Sequence, residues 1–279
     1  YYRLYCAVLV RDKSAKHMNY VLFSDDFGGS WKILGDINTP AVYNTADEPK
    51  VEELANGTII ISSRYNGGRY YNFFTYTDIN AGVGNWETAT FSGAANNGVE
   101  SKDNSTNGEI MIIPVTRTED GKAMYLALQS VPLGPQRKNV GIYYKELASS
   151  NDYNTPANFA KDWDGRHQST FIGSAYSTMC FQKDSTIAFL YEEDTYGINA
   201  YGGYNIMYKN YSIEQITNGK YTALKGKEPE AQPDQPSDAT IALVAEAKSL
   251  LKIKGVGYPG TEPREVLAAA IAIAEENPT

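Results

Sequence analysis

Cysteine and histidine are scarce in this sequence, with two residues of each among 279. Cys6 and Cys180 could form a disulfide only if the fold brought them together, so we expect two buried free thiols. His17 and His167 have no cysteine or histidine neighbour at metal-ligand spacing. We therefore expect no metal site, and no motif in the sequence predicts a cofactor.

Long apolar runs are also missing, and no stretch of the sequence predicts a membrane-spanning helix. The formal net charge is -8, which argues against a nucleic-acid or membrane-surface binder. An anionic small substrate remains compatible, because a local group of arginines can reverse the field inside one cleft. The sequence has no signal peptide, and it opens with YYRLYCAVLVR, which is typical of a strand inside a sheet. We therefore expect that an N-terminal part precedes it.

Tyrosine and glycine, in contrast, are frequent, at 22 and 24 residues. Up to about residue 223, short apolar and aromatic segments alternate with turn dipeptides such as Asn56-Gly57 and Asp120-Gly121. Many short strands at nearly even spacing predict an all-β sandwich, barrel or propeller. The predicted strands are YRLYCAVLVR, NYVLFS, KVEEL, TIIISSRY, RYYNFFTYT, GEIMIIPVT, AMYLALQSV, VGIYYKEL, TIAFLYEE and YNIMYKNYSI.

The composition changes at KGKEPEAQPDQPSD, which is charged and rich in proline and therefore predicts an extended linker. Beyond it, apolar residues recur at helical spacing in two segments that are separated by KGVGYPGTEP, which predicts a helical hairpin. We divide the chain into a β domain at 1–224, a linker at 225–237 and the hairpin at 238–279. The hairpin loosely resembles the FIVAR-type helical modules of bacterial cell-surface proteins.

The segment SDDFGGSW (24–31) follows the apolar strand YVLF and has the composition of a tight turn. Asp26 can accept backbone N–H bonds across such a turn, Gly28 can adopt a positive φ, and Trp31 can pack back over the hairpin. The segment fits the pattern Ser-x-Asp-x-Gly-x-Thr-Trp, with Ser30 at the Thr position. It resembles the Asp-box of sialidases and related β-propellers, which is a structural element rather than a catalytic one.

Four further segments extend this resemblance in family order over nearly all of residues 1–223, namely DEPKVEELANGTIIISSR, GPQRKN, SAYSTMCFQKDSTIAFLYEE and YSIEQITNGK. They are similar to segments of the bacterial exo-α-sialidases. The resemblance implies a six-bladed β-propeller. In that family, these segments hold an acidic residue, two arginines, a tyrosine nucleophile and the last propeller strand.

The resemblance assigns Arg64 and Arg137 to the carboxylate of a sialic acid, and arginine suits a carboxylate because it is always charged and offers paired planar donors. It assigns Tyr176 as the nucleophile and Glu48 as its base. A neutral tyrosine avoids the repulsion that a catalytic carboxylate would meet from the substrate, and sialidases are known to use one. A phenol with a pKa of about 10 is a poor nucleophile at neutral pH, so it needs that base and nearby positive charge.

Two further residues follow from the resemblance. Glu192 matches the glutamate of a Leu-Tyr-Glu motif, which in the family orients the first arginine of the carboxylate-binding triad. Asn107 falls where the family often has an Asn or Gln near the sugar. Taken singly, each of the six site residues has a plain structural explanation, and only the ordered set favours a catalytic one.

The sequence departs from the family at one point, because it contains no Arg-x-Pro motif to carry the first arginine, and no acid/base aspartate follows one. At roughly 40–45 residues per blade, residues 1–223 would make about five blades instead of six. We therefore expect that the N-terminal blades are missing from this chain, and that an N-terminal segment or a second chain completes the propeller.

We expect an exo-α-sialidase that releases terminal sialic acids from glycoconjugates with retention, through a covalent Tyr176 intermediate. Its partners would be sialylated glycans and glycoproteins, with no nucleic acid and no membrane span, and the resemblance implies a secreted or cell-surface location. Two alternatives stay open: a non-catalytic sialoglycan-binding propeller, and a trans-sialidase or intramolecular trans-sialidase. A base beside a tyrosine favours an enzyme, since a lectin has no use for it.

Overall fold

The structure is a computed structural model of the chain. It describes residues 3–44, 46–104, 106–194, 203–226, 244–249 and 267–272. The chain divides into two compact units, 1–230 and 231–279. In the second unit, the described residues are helical and fall within the two predicted helices. The rest of the hairpin, and most of the predicted linker, lie outside the described residues, so the domain boundaries and the FIVAR resemblance stay predictions.

The first unit is built almost entirely of antiparallel strands, as the alternation of apolar segments and turns predicts. The first sheet contains β1 (Leu4–Arg11), β2 (His17–Ser24), β3 (Lys32–Ile33) and β4 (Val42–Tyr43). The second contains β5 (Asp47–Glu53), β6 (Ile59–Tyr65), β7 (Gly68–Asp78), β8 (Val83–Trp86) and β9 (Thr90–Ser92).

Two more sheets follow in chain order. The third contains β10 (Ile110–Arg117), β11 (Ala123–Pro132), β12 (Val140–Leu147) and β13 (Gly165–Gln168). The fourth contains β14 (Ser174–Phe181), β15 (Ile187–Glu193) and β16 (Asn205–Tyr211). The chain then returns to the third sheet, where β17 (Tyr221–Ala223) pairs with β10.

The four sheets of the described residues are arranged as blades of a propeller, with the first strands of neighbouring sheets in contact. This confirms the predicted all-β propeller. The expected count of about five blades is wrong for these residues, because residues 93–109 and 148–164 lengthen the connections and bring short helices instead of strands.

A separate apolar cluster fills each interface between successive sheets. Between the first and second sheets the buried side chains include Val21, Phe23, Leu34, Ile59, Ile61 and Phe74. Between the second and third they include Ile60, Tyr71, Phe73, Val99, Phe159 and Trp163. Between the third and fourth they include Ile113, Leu126, Ile142, Phe189, Tyr191 and Ile216. The strands alternate faces, so the second and third sheets each contribute to two of these clusters.

The turn at 24–31 is held by its own side chains. The Ser30 amide and hydroxyl donate to the two oxygens of Asp26 at 2.8 and 2.7 Å, and the Gly28 amide donates to the Ser24 hydroxyl at 2.8 Å. Gly28 has a φ of +91°, which a glycine adopts without strain, and a Cβ there would lie 3.8 Å from the Trp31 ring. The predicted bonding of the turn is therefore present.

Two short α-helices of the described residues were not predicted from the sequence, α1 (Pro156–Ala160) and α2 (Ile213–Thr217), nor were two 3-10 helices, Ala94–Asn96 and Ser150–Asp152. The predicted strand YNIMYKNYSI ends at Tyr211, because Ser212 caps α2 by accepting a bond from the Gln215 amide. Among the described residues, no helix combines the length and the apolar character that crossing a membrane requires.

The expectation of buried thiols is wrong. Cys6 and Cys180 are free, as predicted, but both are exposed to solvent. They lie on β1 and β14, at strand positions that face away from the clusters between the sheets. On β14 the alternation is direct, since Met179 is buried and Cys180 beside it is exposed.

Candidate active site

Three predicted site residues meet around one phenol oxygen. The Tyr176 hydroxyl donates to Glu48 Oε1 at 2.7 Å. Arg64 Nη1 donates to the same Tyr176 oxygen at 2.9 Å and to Glu48 Oε2 at 2.8 Å. The phenol is thus in direct contact with both a carboxylate and a guanidinium group. This is the arrangement that can deprotonate a tyrosine and stabilise the charge that forms.

Two irregularities of strand pairing place these side chains. The register of β5 on β6 shifts between Asp47 and Pro49, so Glu48 falls at a bulge. The register of β14 on β15 shifts between Ser174 and Ser177, so Tyr176 falls within another. A bulge turns a side chain away from its normal direction, and such irregularities are common beside functional sites.

Arg137 lies in the connection between β11 and β12, and its Cζ is 5.6 Å from the centre of the Tyr176 ring. Arg64 Cζ is 5.9 Å from the same centre. The Arg137 carbonyl accepts a bond from the Ser174 amide at 2.9 Å, which ties the connection to the start of β14. Both predicted arginines therefore flank the tyrosine.

Glu192 lies on β15, next to the strand that bears Tyr176. Its Oε2 accepts a bond from the Tyr176 backbone amide at 3.1 Å. The resemblance implies a role for Glu192 in orienting another arginine, whereas the contact seen here is with the backbone of Tyr176 itself. This bond holds the bulged segment of β14 against β15.

Asn107 and Glu192 line the same cleft beside Tyr176, which has a volume of about 260 Å³. Leu190 and Ile206 form an exposed apolar wall of this cleft. The side-chain carbonyl Oδ1 of Asn107 is buried without a hydrogen-bond partner in the described residues. A buried acceptor without a partner is costly, so a ligand donor in the cleft would be favoured.

A second cleft, of about 480 Å³, is lined by Arg64 and was not predicted from the sequence. It is lined by polar side chains of the first and second sheets, including Lys16, His17, Asp47 and Tyr65. Arg64 therefore borders open space as well as the tyrosine. Its position is compatible with a ligand that spans this part of the surface.

Burial and the charges of the site shift the pKa values of Tyr176 and Arg64. Burial and the neighbouring Glu48 carboxylate raise the pKa of Tyr176 above its ordinary value, against the opposing effect of Arg64. Burial alone would lower the pKa of Arg64, but the hydrogen bond and charge of Glu48 raise it overall. At neutral pH, then, the phenol is protonated and the guanidinium is charged.

Arg69 is not among the predicted site residues, yet its guanidinium lies fully buried beside the site. It is paired directly across β6 and β7 with Arg64. Burial lowers the pKa of Arg69 to about 10, so it is still charged at neutral pH. The one sequence signal that could have found it is the hairpin Arg64-Tyr-Asn-Gly-Gly-Arg69, whose ends must face each other once its strands pair.

Among solved structures, the chain is similar to the NanB sialidase of Streptococcus pneumoniae, with a TM-score of 0.52 and 19% identity. It is also similar to intramolecular trans-sialidases of Ruminococcus gnavus and of leech, each with a TM-score of 0.50, at 19% and 18% identity. The fold is sialidase-like. No family model and no curated protein sequence matches the chain.

These similarities cover 75% of the chain for the two bacterial proteins and 76% for the leech protein. The chain in turn spans 32% of the NanB and leech structures and 43% of the Ruminococcus gnavus structure. At this level of identity the likeness concerns the sialidase-like fold alone.

Proposed function

We propose that this chain carries the nucleophile and two carboxylate-binding arginines of an exo-α-sialidase. The observation that supports the proposal is the Tyr176 hydroxyl, which lies between the Glu48 carboxylate and the Arg64 guanidinium. The substrate would be a terminal sialic acid of a glycan or glycoprotein, and the product would retain its anomeric configuration.

In the first step, the Tyr176 oxygen attacks the anomeric carbon and Glu48 takes the phenol proton. The bond to the leaving group breaks at the same time, and another acid, to which we assign no residue of this chain, protonates the leaving oxygen. In the second step, water attacks the anomeric carbon and gives its proton to that same group. The bond to Tyr176 breaks, and Glu48 returns its proton to the phenol oxygen. Two inversions at one carbon give net retention.

The electrostatics of the site favour a tyrosine in this role. A carboxylate nucleophile would bring a second negative charge against the acidic sugar, and the raised pKa of Tyr176 keeps the free phenol neutral. Arg64 and Arg137 would bind the substrate carboxylate and stabilise the developing phenolate. Glu192 would hold the backbone of Tyr176 in place through its bond to the amide.

Asn107 would contact the sugar through its unpartnered carbonyl, which needs an N–H or O–H donor. A sialic acid offers both kinds of donor close to its ring. The turn at 24–31 would be an Asp-box, which supports the fold and takes no part in the reaction. The sialidase-like fold and a glycan substrate together favour a secreted or cell-surface protein.

A covalent trap tests the assignment. A sialyl fluoride with a second fluorine at C3 loses fluoride without the help of an acid, and the C3 fluorine slows release of the intermediate. We expect the natural protein to gain the mass of one fluorosialyl group, located by peptide mass spectrometry on Tyr176. Tyr176→Phe should gain none, and Glu48→Gln should label much more slowly.

Labelling of another residue, or equal labelling of Tyr176→Phe, would remove Tyr176 as the nucleophile. A non-catalytic glycan-binding propeller would bind sialosides and acquire no covalent label. For a labelled protein, mass spectrometry of the released product separates hydrolysis to free sialic acid from formation of an anhydro sugar or transfer to another glycan.

A further inference from the structure

Arg69 makes four hydrogen bonds in the protein interior. Its Nε donates to the Ser62 hydroxyl at 3.0 Å, and Nη2 donates to the Ser62 carbonyl at 3.1 Å. Nη1 donates to the Thr106 carbonyl at 3.0 Å, and Nη2 also reaches the Gly108 carbonyl at 3.5 Å. The guanidinium thus joins β6 to both sides of Asn107.

Further hydrogen bonds extend from Ser62 through other buried polar side chains. The Ser62 hydroxyl donates to Gln129 Oε1 at 2.6 Å, and Gln129 Nε2 donates to the Glu109 carbonyl at 2.9 Å. The Ser130 hydroxyl oxygen accepts bonds from the Glu109 amide and from the Ser177 hydroxyl, each at 2.9 Å. These hydrogen bonds form a continuous polar network from Ser62 on β6, the strand that carries Arg64, to Ser177, which follows Tyr176.

A buried charge of this kind is costly, and the charges of Glu109 and Glu48 offset only part of the effect of burial, because the pKa of Arg69 is still lowered overall. Among the described residues, no carboxylate forms an ion pair with Arg69. Its side chain is 0% exposed and faces Arg64 across the strand pair, a placement that like charges disfavour. The buried guanidinium is therefore better explained by the carbonyls that it holds.

We propose that Arg69 is a positioning residue, whose buried guanidinium fixes the segment 106–108 against β6 and so sets the distance between Asn107 and Arg64. The segment has no strand pairing of its own at this point. Without the guanidinium, the Thr106 and Gly108 carbonyls lose these bonds and Asn107 is free to shift. This inference rests on the proposed function for its ligand, since Asn107 and Arg64 would both contact the sialic acid.

The test compares three variants of the natural protein. Arg69→Met removes the charge and all four bonds, and Arg69→Lys keeps the charge but cannot reach every acceptor. Lys145→Met is the matched control, because Lys145 is also a buried cation, is 4% exposed, and donates to the Asn158 and Lys161 carbonyls at 2.9 and 2.5 Å. It lies on β12 and takes no part in the site.

Two measurements are made on each variant: affinity for 2-deoxy-2,3-dehydro-N-acetylneuraminic acid by calorimetry, and hydrogen exchange of the backbone amides at 106–109. We expect Arg69→Met to weaken binding by at least about tenfold and to speed exchange at 106–109. Arg69→Lys should recover part of both. Lys145→Met should lower Tm as Arg69→Met does, yet bind the analogue within about twofold of the unaltered protein.

Unchanged affinity and unchanged exchange in folded Arg69→Met would overturn the positioning role. Equal loss of affinity in Lys145→Met would overturn it too, because the effect would then follow stability alone. If the unaltered protein does not bind the analogue, the proposed function fails. The exchange at 106–109 still decides whether Arg69 holds the segment.

Discussion

The turn at 24–31 and the candidate active site both centre on a carboxylate that accepts hydroxyl hydrogen bonds, but they are assembled differently. Asp26 takes its partners from within four residues along the chain. Glu48 and Tyr176 are 128 residues apart, and Arg64 and Tyr176 are 112 apart. One carboxylate is satisfied by a single hairpin, whereas the other depends on the packing of separate sheets.

The two carboxylates also differ in what their surroundings do. The hydrogen bonds from Ser30 and Ser24 lower the pKa of Asp26 to about 2, so the turn holds an anion at neutral pH. At the site, the carboxylate of Glu48 instead faces a neutral phenol whose pKa is raised. A carboxylate whose hydrogen-bond partners are all local stabilises a turn. A carboxylate that shares a proton with a distant tyrosine can act as a general base.

The largest effect is expected from removal of the Tyr176 phenol oxygen. We expect Tyr176→Phe to lower sialoside turnover of the natural protein by several orders of magnitude, because the attacking atom is gone. Tyr20→Phe is the matched control, since the Tyr20 hydroxyl donates to the Ile37 carbonyl at 2.8 Å far from the site. Steady-state kinetics should show near-normal turnover for Tyr20→Phe, and similar losses in both variants would end the assignment.

Neutralising the two carboxylates should give opposite results. Glu48→Gln should lower turnover by about 10²–10⁴-fold, as expected for loss of a general base, with a small change in Tm. Asp26→Asn should lower Tm by several degrees and leave turnover close to normal. The Asp26 contribution to stability should be present above pH 4 and disappear as the pH falls towards 2, because the folded pKa is the lower one. Thermal melts and kinetics on both variants check this.

Glu52 is a third kind of carboxylate, partly buried and, among the described residues, not in an ion pair. Burial is the main cause that raises its pKa to about 7, and the nearby Glu109 adds to it. The folded state therefore binds the proton more tightly, and its stability falls as the pH rises from about 4.5 to 7. We expect Glu52→Gln to be more stable than the unaltered protein at pH 8, by up to about 3 kcal/mol.

The gain from Glu52→Gln should shrink to near zero below pH 4.5, where the carboxyl is protonated in both folded and unfolded states. Urea denaturation at pH 8 and pH 4.5 measures both values. A gain that is equal at the two pH values would show that packing, and not the charge, is responsible.

The smallest effect concerns the backbone of the turn. Gly28→Ala places a Cβ at a φ of +91°, which should cost about 1 kcal/mol and lower Tm by about 2–4 °C. Because the turn is closed on itself, affinity for sialic acid analogues should not change. A loss of affinity in this variant would show that the turn and the site are coupled.

Features that depend on neighbouring residues could be predicted from the sequence. The strands and the bonding of Asp26 follow from local alternation and spacing, whereas the choice of a propeller over a sandwich or barrel came from the resemblance. The boundary at Ser212 was missed, because a cap and a strand end look alike when the apolar pattern runs through them. The two thiols were assigned to the interior because cysteine is usually buried, whereas strand alternation decides the face that each one takes.

The site was predictable only in its residue types. The identities of Glu48, Arg64 and Tyr176 came from a resemblance, and nothing in the local sequence indicates the two bulges that turn Glu48 and Tyr176 towards each other. The burial of Arg69 has no local signal, since two of its four acceptors lie 37 and 39 residues away along the chain. Register shifts and long-range polar contacts are set by packing between sheets, which spacing along the chain does not encode.

The two exposed cysteines can be labelled to measure the rigidity of the propeller. Cys6 is on the first sheet and Cys180 is on the fourth, and the sequence has no others. With a nitroxide attached to each thiol, pulsed electron paramagnetic resonance would measure the distance between these two positions without any substitution. The width of that distance distribution in frozen solution would report how rigidly the outermost blades are held with respect to each other, with and without a bound sugar.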